Sequence, residues 1–386
     1  MENQNRSPLL DNLDPKPLPP NHQLAPPKRH IFAWLKYRHS QLTKKQKWLV
    51  AIALILLIAG GATAGYFLYR QFHKPTPSSS SKSAILKKTK EPSRLTGVEV
   101  PKKLNKRPVT GIMIENSIDA RPQSGLKDAG VVFEAVAEGG ITRFLALYQE
   151  ARPSYIGPVR SVRPYYLDWL MPFDASIAHV GGAPKALQDI KKYHVRDLDQ
   201  FANSSAYWRI SSRTSPHNMY TSMGKLDGLN KSKGYTSSDF KGFSRKTEMP
   251  APKSKRTASS IGLAISGFNY NVRYAYSSAG NRYLRSEGGS AHIDQKTHKR
   301  LSPKVVIALV MSRGIASDGQ HTNYGTTNGG RAYVFQDGKV TIGTWKKTSR
   351  EADLIFLKKD GSPLGLNPGQ TWNTMVDKAG SVSYKH

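Results

Sequence analysis

The stretch GVVFEAVAEGGITRFLALYQE, residues 130–150, decides the fold class of this chain. Apolar and polar residues alternate on both sides of Glu138-Gly139-Gly140, a period typical of strands that bury one face. Two adjacent glycines between such runs allow the positive φ angles of a tight hairpin turn. The stretch therefore predicts two antiparallel strands, with Glu138 and Arg143 beside the turn.

Helical patterns follow this hairpin in the sequence. SVRPYYLDWLMPF (161–173) and APKALQDIKKYH (183–194) each place a proline near the start, where its missing N–H is harmless to a helix. A third short helix is expected over Met223–Lys231, and ASIAHVGG (175–182) predicts a buried strand. This order is irregular, so the pattern predicts an α+β fold rather than a regular βαβ alternation.

Strand patterns dominate the later part of the chain. Runs such as KVVIALVMS (304–312) and GRAYVFQDGKVTIGTWKK (330–347) alternate or stay apolar, and Asp337-Gly338 and Asp360-Gly361 predict hairpin turns. The segment 233–258 is rich in Ser, Lys and Pro and predicts a connection. We therefore expect an α+β domain over 107–235 and a β-rich domain over 259–378.

The amino-terminal part predicts a membrane anchor. WLVAIALILLIAGGATAGYFLY (48–69) has 22 residues and no charge, enough to cross a hydrocarbon core of about 30 Å. A cleaved signal peptide is the alternative, but 47 residues precede the apolar run. Residues 1–47 predict a disordered basic tail, and residues 70–106, rich in Ser, Pro and Lys, predict a tether.

The charges that flank the apolar run predict its orientation. Five basic residues lie in the 15 positions before it and three in the 15 positions after it. Because basic flanks resist translocation, the amino terminus is expected in the cytoplasm and the bulk of the chain outside. The chain is thus predicted to be a single-pass protein of the cell membrane.

The chain is strongly basic, with 58 Lys and Arg against 27 Asp and Glu and a net charge of +31. Residues 101–200 carry 14 basic and 11 acidic side chains, whereas residues 201–350 carry 24 and 7. This excess favours polyanionic partners, nucleic acid among them, although no nucleic-acid-binding motif accompanies it. The absence of cysteine excludes disulfides, thiolate metal sites and a catalytic thiol.

One basic stretch, YIGPVRSVRPYY (155–166), fits two interpretations. In the first, Ser161 caps the next helix, and free N–H groups beside arginine side chains bind a phosphate or carboxylate. In the second, the arginines pair internally with Glu134, Glu138 or Asp168. The candidate anion-binding residues are Arg143, Arg160, Ser161, Arg163 and Arg213.

Candidates for catalysis are few. His217 in SSRTSPHNMY (211–220) is suited to general acid–base chemistry with Ser161, Ser215 or a carboxylate such as Glu138, although a structural loop histidine fits the sequence as well. His292 and Asp294 are spaced to share one face of a strand, but no third ligand has telling spacing. No P-loop, His-Glu-x-x-His or Gly-x-Ser-x-Gly sequence occurs. No metal or cofactor is therefore predicted.

Several segments together resemble a known family. IMIENS, EAVAEGGITRFLALY, GPVRSVRPYY, SPHNMY, FQDGKVTIGTWKK and LNPGQTW, in this order over about 107–378, are similar to the YerB-like family of bacterial envelope lipoproteins, whose function is unknown. The resemblance implies an N-terminal domain of layered β/α sandwich type and a small β-rich C-terminal domain. Relatives of the lipoprotein type are held by a lipidated cysteine, which this chain lacks.

These observations give one expected function and two alternatives. We expect a membrane-anchored extracytoplasmic protein of the cell envelope that binds an anionic envelope polymer or a cell-wall partner. The first alternative is a hydrolase or transferase of cell-wall or nucleotide substrates that uses His217 with a serine or carboxylate. The second is extracellular nucleic-acid binding through charge alone.

Overall fold

The computed structural model describes residues 36–72 and 89–386 of the chain. The chain divides into two compact units, Met1–Leu86 and Lys87–His386. The predicted tail up to residue 35 and the predicted tether over 73–88 lie outside the described residues. Each unit is considered by itself.

The first unit contains a helical turn, α1 (36–40), and a long helix, α2 (Lys44–Phe72). The helix begins at Lys44 rather than at Trp48 and extends beyond the predicted end at Tyr69. Its segment Lys44–Tyr66 is the one candidate membrane span among the described residues, by length and apolar composition. Large apolar side chains such as Leu57 (73% exposed) cover its surface, which is costly in water.

The second unit begins before the predicted domain start at residue 107. β1 (Lys90–Pro92) pairs with β2 (Glu99–Pro101), and a helical turn, α3 (Lys102–Asn105), follows. Leu95 between the two strands is fully buried in the core, and Asn105 accepts a hydrogen bond from the backbone of Arg94. The predicted tether is therefore too long at its carboxyl end. Burial of Leu95 and the hydrogen bond between Arg94 and Asn105 hold in place a segment whose polar composition predicted a tether.

A ten-stranded mixed sheet forms the centre of this unit. Its strands are β3 (Thr110–Glu115), β4 (Val131–Glu138), β5 (Ile141–Tyr148), β6 (Ser176–Ala178), β7 (Arg196–Asp197), β14 (Val305–Val310), β17 (Asn328–Gln336), β18 (Lys339–Lys347), β19 (Ile355–Leu357) and β20 (Thr371–Val376). They lie in the order β19-β18-β17-β14-β20-β4-β5-β3-β6-β7. Both sequence segments that we predicted as domains therefore contribute strands to one sheet.

The predicted hairpin lies near the middle of this sheet. β4 and β5 pair antiparallel, and Gly139 and Gly140 adopt φ angles of +54° and +77°. Such angles suit glycine in a two-residue turn. The first of the two turns predicted in the later half, Asp337-Gly338, joins β17 and β18 in the same way. At Asp360-Gly361 the chain also turns, but among the described residues a single β-bridge, between Leu357 and Pro363, flanks this turn. The turn therefore does not form a full hairpin.

A second sheet has five antiparallel strands. They are β10 (Ser260–Leu263), β11 (Val272–Ser277), β12 (Arg282–Glu287), β13 (Ser290–Ala291) and β21 (Val382–Lys385), in the order β13-β12-β11-β10-β21. Two further pairs of strands form separate two-stranded sheets. They are β8 (Tyr207–Arg209) with β9 (Met219–Thr221), and β15 (Arg313–Ile315) with β16 (Thr322–Tyr324).

The remaining helices, α4 (Pro164–Leu170), α5 (Pro184–Lys192) and α6 (Met223–Ser232), agree with the predicted positions. The first two pack on one face of the large sheet, against residues such as Phe133 and Leu145. The opposite face packs on α6 around Ile114 and, farther along the sheet, on the five-stranded sheet around Val306. Both faces are therefore buried, which explains the continuous apolar runs of β4 and β14.

Candidate functional site

Three predicted residues meet at the carboxyl end of β4 and form the Glu138 cluster: Glu138, Arg143 and Arg163. Arg143 Nη2 donates to Glu138 Oε1 at 2.6 Å, and Arg163 donates to Oε2 through Nη2 at 2.7 Å and through Nε at 3.0 Å. Arg143 also donates to the backbone oxygen of Ser161. The two arginines thus tie the Gly-Gly hairpin to the segment that leads into α4.

The electrostatics of this cluster are those of an internal ion pair. Burial opposes ionisation of Glu138, but the charges and hydrogen bonds of Arg143 and Arg163 outweigh it and hold its pKa below the usual value. Burial, together with the charge of Arg143, lowers the pKa of Arg163. Both arginine side chains are almost fully buried, so their charges are directed at Glu138 rather than at solvent.

A second cluster, the Glu115 cluster, lies beside the first because Glu115 and Arg143 are directly opposite each other on β3 and β5. It comprises Glu115, Ser117, Arg160 and His217. Glu115 Oε1 lies 2.9 Å from His217 Nδ1, 3.0 Å from Ser117 Oγ and 3.2 Å from Arg160 Nε. Segments 114–117, 157–166 and 215–220, which are far apart in sequence, therefore converge on one buried carboxylate.

The Glu115 cluster has unused hydrogen-bonding capacity. Glu115 Oε2 and Arg160 Nε are buried atoms without a hydrogen-bond partner among the described residues, and so is Arg143 Nε in the neighbouring cluster. His217 is about one-fifth exposed, and its Nε2 lies 4.0 Å from Oδ2 of the exposed Asp119. Arg160 and His217 in this cluster, like Glu138 in the first, therefore retain partial contact with solvent.

The contacts of His217 limit the chemistry available to it. A carboxylate on Nδ1 orients the imidazole as in a general base, with Nε2 left for a nucleophile. Ser117, however, lies 3.2 Å from the same Nδ1, and Ser161 contributes its backbone oxygen to Arg143. No serine hydroxyl contacts Nε2 among the described residues, so they do not assemble a serine nucleophile with this histidine.

The other predicted site residues have structural contacts. Arg213 donates to the backbone oxygens of Ala120 and Pro122 and to the hydroxyl of Tyr220, so it holds the loop after β3 without a carboxylate partner. Ser161 does not cap α4, because the helix begins at Pro164 and Arg163 occupies the N-cap position without a side-chain cap. The Pro164 prediction is confirmed, and the Ser161 cap is wrong.

A buried ion network escaped prediction from the sequence. Arg285 is fully buried and donates to Glu134 Oε1 at 2.7 Å, to Tyr274 Oη at 2.7 Å and to His292 Nδ1 at 2.9 Å. Glu287 lies 3.3 Å from the same guanidinium, and burial raises its pKa to about 7. This network joins β4 of the large sheet to β12 of the five-stranded sheet.

The sequence carried a faint signal for this network. Glu134 lies between apolar residues of a buried strand, a position where an unpaired carboxylate is costly. Glu287 shares the buried face of β12 with Tyr283 and Arg285. Such residues require a buried cation, but the sequence does not identify which one. His292, considered above with Asp294, faces Arg285 and Gln123, whereas Asp294 accepts a hydrogen bond from the backbone of Gly125.

The fold and these charge clusters define an α+β unit with paired charges at one end of its central sheet, in a chain that also carries an apolar helix. Family models described as "Protein of unknown function (DUF3048) N-terminal domain" and "C-terminal domain" match residues 95–236 and 262–372. The chain belongs to this family of unknown function.

Two comparisons give the same assignment. The chain is 32% identical over 303 residues to "Putative lipoprotein YerB" of Bacillus subtilis (strain 168), covering 77% of this chain and 89% of that protein. The crystal structure of the YerB protein from Bacillus subtilis superposes with a TM-score of 0.70 at 29% identity, covering 77% of this chain and all of that one. The resemblance to the YerB-like family is thereby confirmed.

Proposed function

We propose that this protein is a membrane-anchored, extracytoplasmic binding protein of the cell envelope and that its ligand is an anionic envelope polymer. The name of the Bacillus relative, "Putative lipoprotein YerB", supports an envelope location. The apolar helix α2 supports membrane anchoring, and the charge distribution supports the ligand class. The layered β/α sandwich implied by the family resemblance belongs to the same proposal, whereas a division into two separate domains does not, because both segments contribute strands to one sheet.

The anchor is proposed to be α2, in place of the lipid of lipoprotein relatives. Its 29 residues extend about 43 Å at 1.5 Å per residue, more than a hydrocarbon core requires. Trp48, Tyr66 and Tyr69 lie near the two ends of the apolar run, where aromatic rings suit the membrane interfaces. The basic excess before the helix supports an inside-to-outside orientation.

The charge balance of residues 201–350 is the observation that carries the ligand class. This segment has 24 basic and 7 acidic side chains. Each of its acidic side chains has a partner within the protein: Asp227, Asp239, Glu248, Glu287, Asp294, Asp318 and Asp337. Some of its cations are buried or paired with carboxylates elsewhere, such as Arg285, Arg313 and Arg350. Others, such as Lys253, Lys255 and Arg273, are exposed and available to an external polyanion, and bound counterions would be released on association.

Binding agrees with the Glu115 cluster better than catalysis does. The Glu115–His217 contact supplies the orienting half of a general base, but Ser117 lies on Nδ1, where it is unsuited to act as the nucleophile. Arg143 and Arg163 are occupied by Glu138. A binding function requires none of these groups to react.

The test measures binding of the full chain in neutral detergent micelles to poly(glycerol phosphate) at increasing salt. Counterion release predicts that log K falls linearly with log[salt], at about 0.7 to 0.9 per phosphate contact. Dextran, an uncharged polymer, serves as the control ligand and should not bind. Salt-insensitive binding, or binding to dextran alone, would refute the proposed ligand class.

A further inference from the structure

The outward face of the five-stranded sheet forms a groove, which we call the outer groove. It encloses about 540 Å³ and is lined by Ser260, Gly262, Arg273, Ser286, Ser383 and Lys385, among others. That volume lies within the range of ligand sites, about 300 to 1,000 Å³. The groove is separate from the Glu115 and Glu138 clusters, whose residues do not line it.

Strand alternation creates this face. Ile261, Leu263, Val272 and Tyr274 point inward and are buried against the large sheet. Their neighbours therefore point outward, and the register places Gly262 between Arg273 and Ser383, and Ser260 beside Lys385. Most outward positions around Gly262 thus carry small or hydroxyl side chains, which leaves room above the sheet.

Gly262 keeps the floor of the groove open. A Cβ atom at this position would lie 2.6 Å from Ser383 Oγ, closer than real contacts allow. Its φ angle is not in the left-handed region, so the backbone does not require glycine here. The space above the strand, rather than the turn geometry, is what the glycine provides.

The groove is cationic and has unused donors. No carboxylate is among the described residues that line it. Arg273 and Lys385 are both exposed, and in the described part of the chain neither side chain has an ion-pair or hydrogen-bond partner. They lie two strands apart, about 10 Å across the sheet, so that each can meet a different anionic group of an extended ligand. Buried arginines such as Arg143 and Arg285 lack this freedom.

One wall of the groove is apolar. Phe268, about 72% exposed, lines the groove beside Gly289. An exposed ring next to hydroxyl and cationic groups suits a ligand in which anionic groups alternate with short carbon segments. A polyol phosphate has this composition, because its phosphodiesters accept hydrogen bonds and its carbon backbone contacts the ring.

We propose that the outer groove is the binding site for an extended phosphodiester polymer of the envelope, with Arg273 and Lys385 on successive phosphates and serine hydroxyls between them. This proposal rests on the proposed function and assigns it a surface. The absence of lining carboxylates, the two unpaired cations and the open floor at Gly262 support it jointly. Neither the Glu115 cluster nor the buried ion network takes part.

The experiment uses the full chain in neutral detergent micelles and a poly(glycerol phosphate) oligomer as the probe. Arg273→Gln with Lys385→Gln should weaken binding by at least about tenfold and reduce the log–log salt slope by about 1.4 to 1.8, because two phosphate contacts are lost. Gly262→Val, which fills the floor but keeps both charges, should also weaken binding. The control variant, Lys253→Gln with Lys255→Gln, removes two exposed cations outside the groove. The affinity of this control for the oligomer should stay within about threefold of that of the unmodified chain.

The outcomes separate the two proposals. If the unmodified chain does not bind the oligomer, the proposed function fails and this inference fails with it. If it binds and the groove variants retain its affinity, or if the Lys253/Lys255 control loses as much as the groove pair, the inference alone is overturned. Should Gly262→Val not fold, the charge pair decides, since neither side chain packs in the core.

Two further ligands test whether the groove prefers a polyol phosphate over other sources of phosphate. Water-soluble dihexanoyl phosphatidylglycerol tests a lipid headgroup as the source of phosphate, and oligo(dT) tests nucleic acid. The groove variants should affect oligomer binding most. A loss confined to the lipid or to oligo(dT) would overturn the assignment of the groove to a polyol phosphate.

Discussion

Arg163 and Arg160 differ in what they contact, although they lie three residues apart. Arg163 makes two hydrogen bonds to Glu138 and is nearly fully buried. Arg160 is one-quarter exposed, and its Nε approaches Glu115 at 3.2 Å without an aligned hydrogen bond. Of the two interpretations of the stretch, internal pairing describes Arg163, and only Arg160 keeps partial access to solvent.

This difference predicts unequal effects on stability. Arg163→Ala leaves Glu138 with one arginine and should lower the free energy of unfolding by about 2 to 3 kcal/mol. Arg160→Ala should cost about 1 kcal/mol or less, because Glu115 keeps His217 and Ser117. Urea unfolding followed by tryptophan fluorescence measures both. Arg163→Lys serves as the control that keeps the charge but loses the planar fork, and equal costs for the two alanine variants would contradict the prediction.

Glu287 predicts a pH dependence of stability. Burial raises its pKa to about 7 from an ordinary value of 4.5. Between these values the folded chain holds a proton that the unfolded chain releases, so this group lowers the free energy of unfolding as pH rises from about 4.5 to about 7. Glutamine does not titrate, so the Glu287→Gln variant lacks this pH-dependent loss of stability. The free energy of unfolding of the variant, relative to that of the unmodified chain, should therefore increase with pH over this window.

The comparison isolates Glu287 from its neighbour His292. Burial and the charges of Arg285 and Arg121 lower the pKa of His292, so that this group destabilises the fold as pH falls below its ordinary value of 6.5. Because His292 Nδ1 lies 3.4 Å from Glu287 Oε2 and would respond to the substitution, the comparison is repeated with His292→Gln in both chains. Urea unfolding of the two chains between pH 5 and pH 8 is the measurement, and a pH-independent difference would refute the assignment.

At the scale of elements, the short helices and hairpins follow from local sequence. Pro164 and Pro184 each occupy the first turn of a helix, and Gly139-Gly140 forms the predicted turn. The strand β20 did not follow from local sequence in the same way. Its place between β14 and β4, parallel to both, depends on partners far away in the chain.

Helix α2 carries the prediction for membrane topology. Because the chain has no cysteine, a single engineered thiol reports its own location. Gln41→Cys and Thr89→Cys place thiols at exposed positions before and after the helix. With the proposed orientation, a membrane-impermeant maleimide should label Thr89→Cys in intact cells and label Gln41→Cys only after lysis. The reverse pattern, or labelling of both in intact cells, would exclude this topology.

At the scale of the whole molecule, the two matched family regions depend on each other. β20 pairs with β4 over Val131–Glu134, and Arg285 and Trp372 bind the buried Glu134. Without the later half, β4 would expose an unpaired edge and a carboxylate without its cation. Both losses are strongly destabilising in a buried sheet.

A split chain tests this dependence. Residues 89–236 expressed alone should be protease-sensitive and lack the dispersed amide spectrum of a folded domain. Co-expression with residues 237–386 should restore a protected complex, because the missing strands and Arg285 are returned. A stable, protease-resistant fragment 89–236 would show instead that the N-terminal region folds by itself.

The residues of the candidate site were predictable, and the pairing of Arg163 with Glu138 was among the alternatives, but the pairs on Glu115 were not predicted. GPVRSVRPYY, the Gly-Gly hairpin and SPHNMY indicated the relevant side chains, and the structure does bring Arg160 and His217 together. They meet on Glu115, which local sequence did not mark as a site residue. An ion pair depends on distance in space, whereas sequence reports only the charge and its local setting.

The sequence by itself determined the features that depend on neighbouring residues: the apolar helix α2, the hairpin at Gly139-Gly140, the short helices and the excess of positive charge. Only the tertiary structure decided which charges are neutralised and which face remains open. Glu134 and Arg285 lie 151 positions apart, yet they form one buried pair. Local periodicity fixes which face a side chain occupies, but long-range strand pairing decides what lies opposite that face.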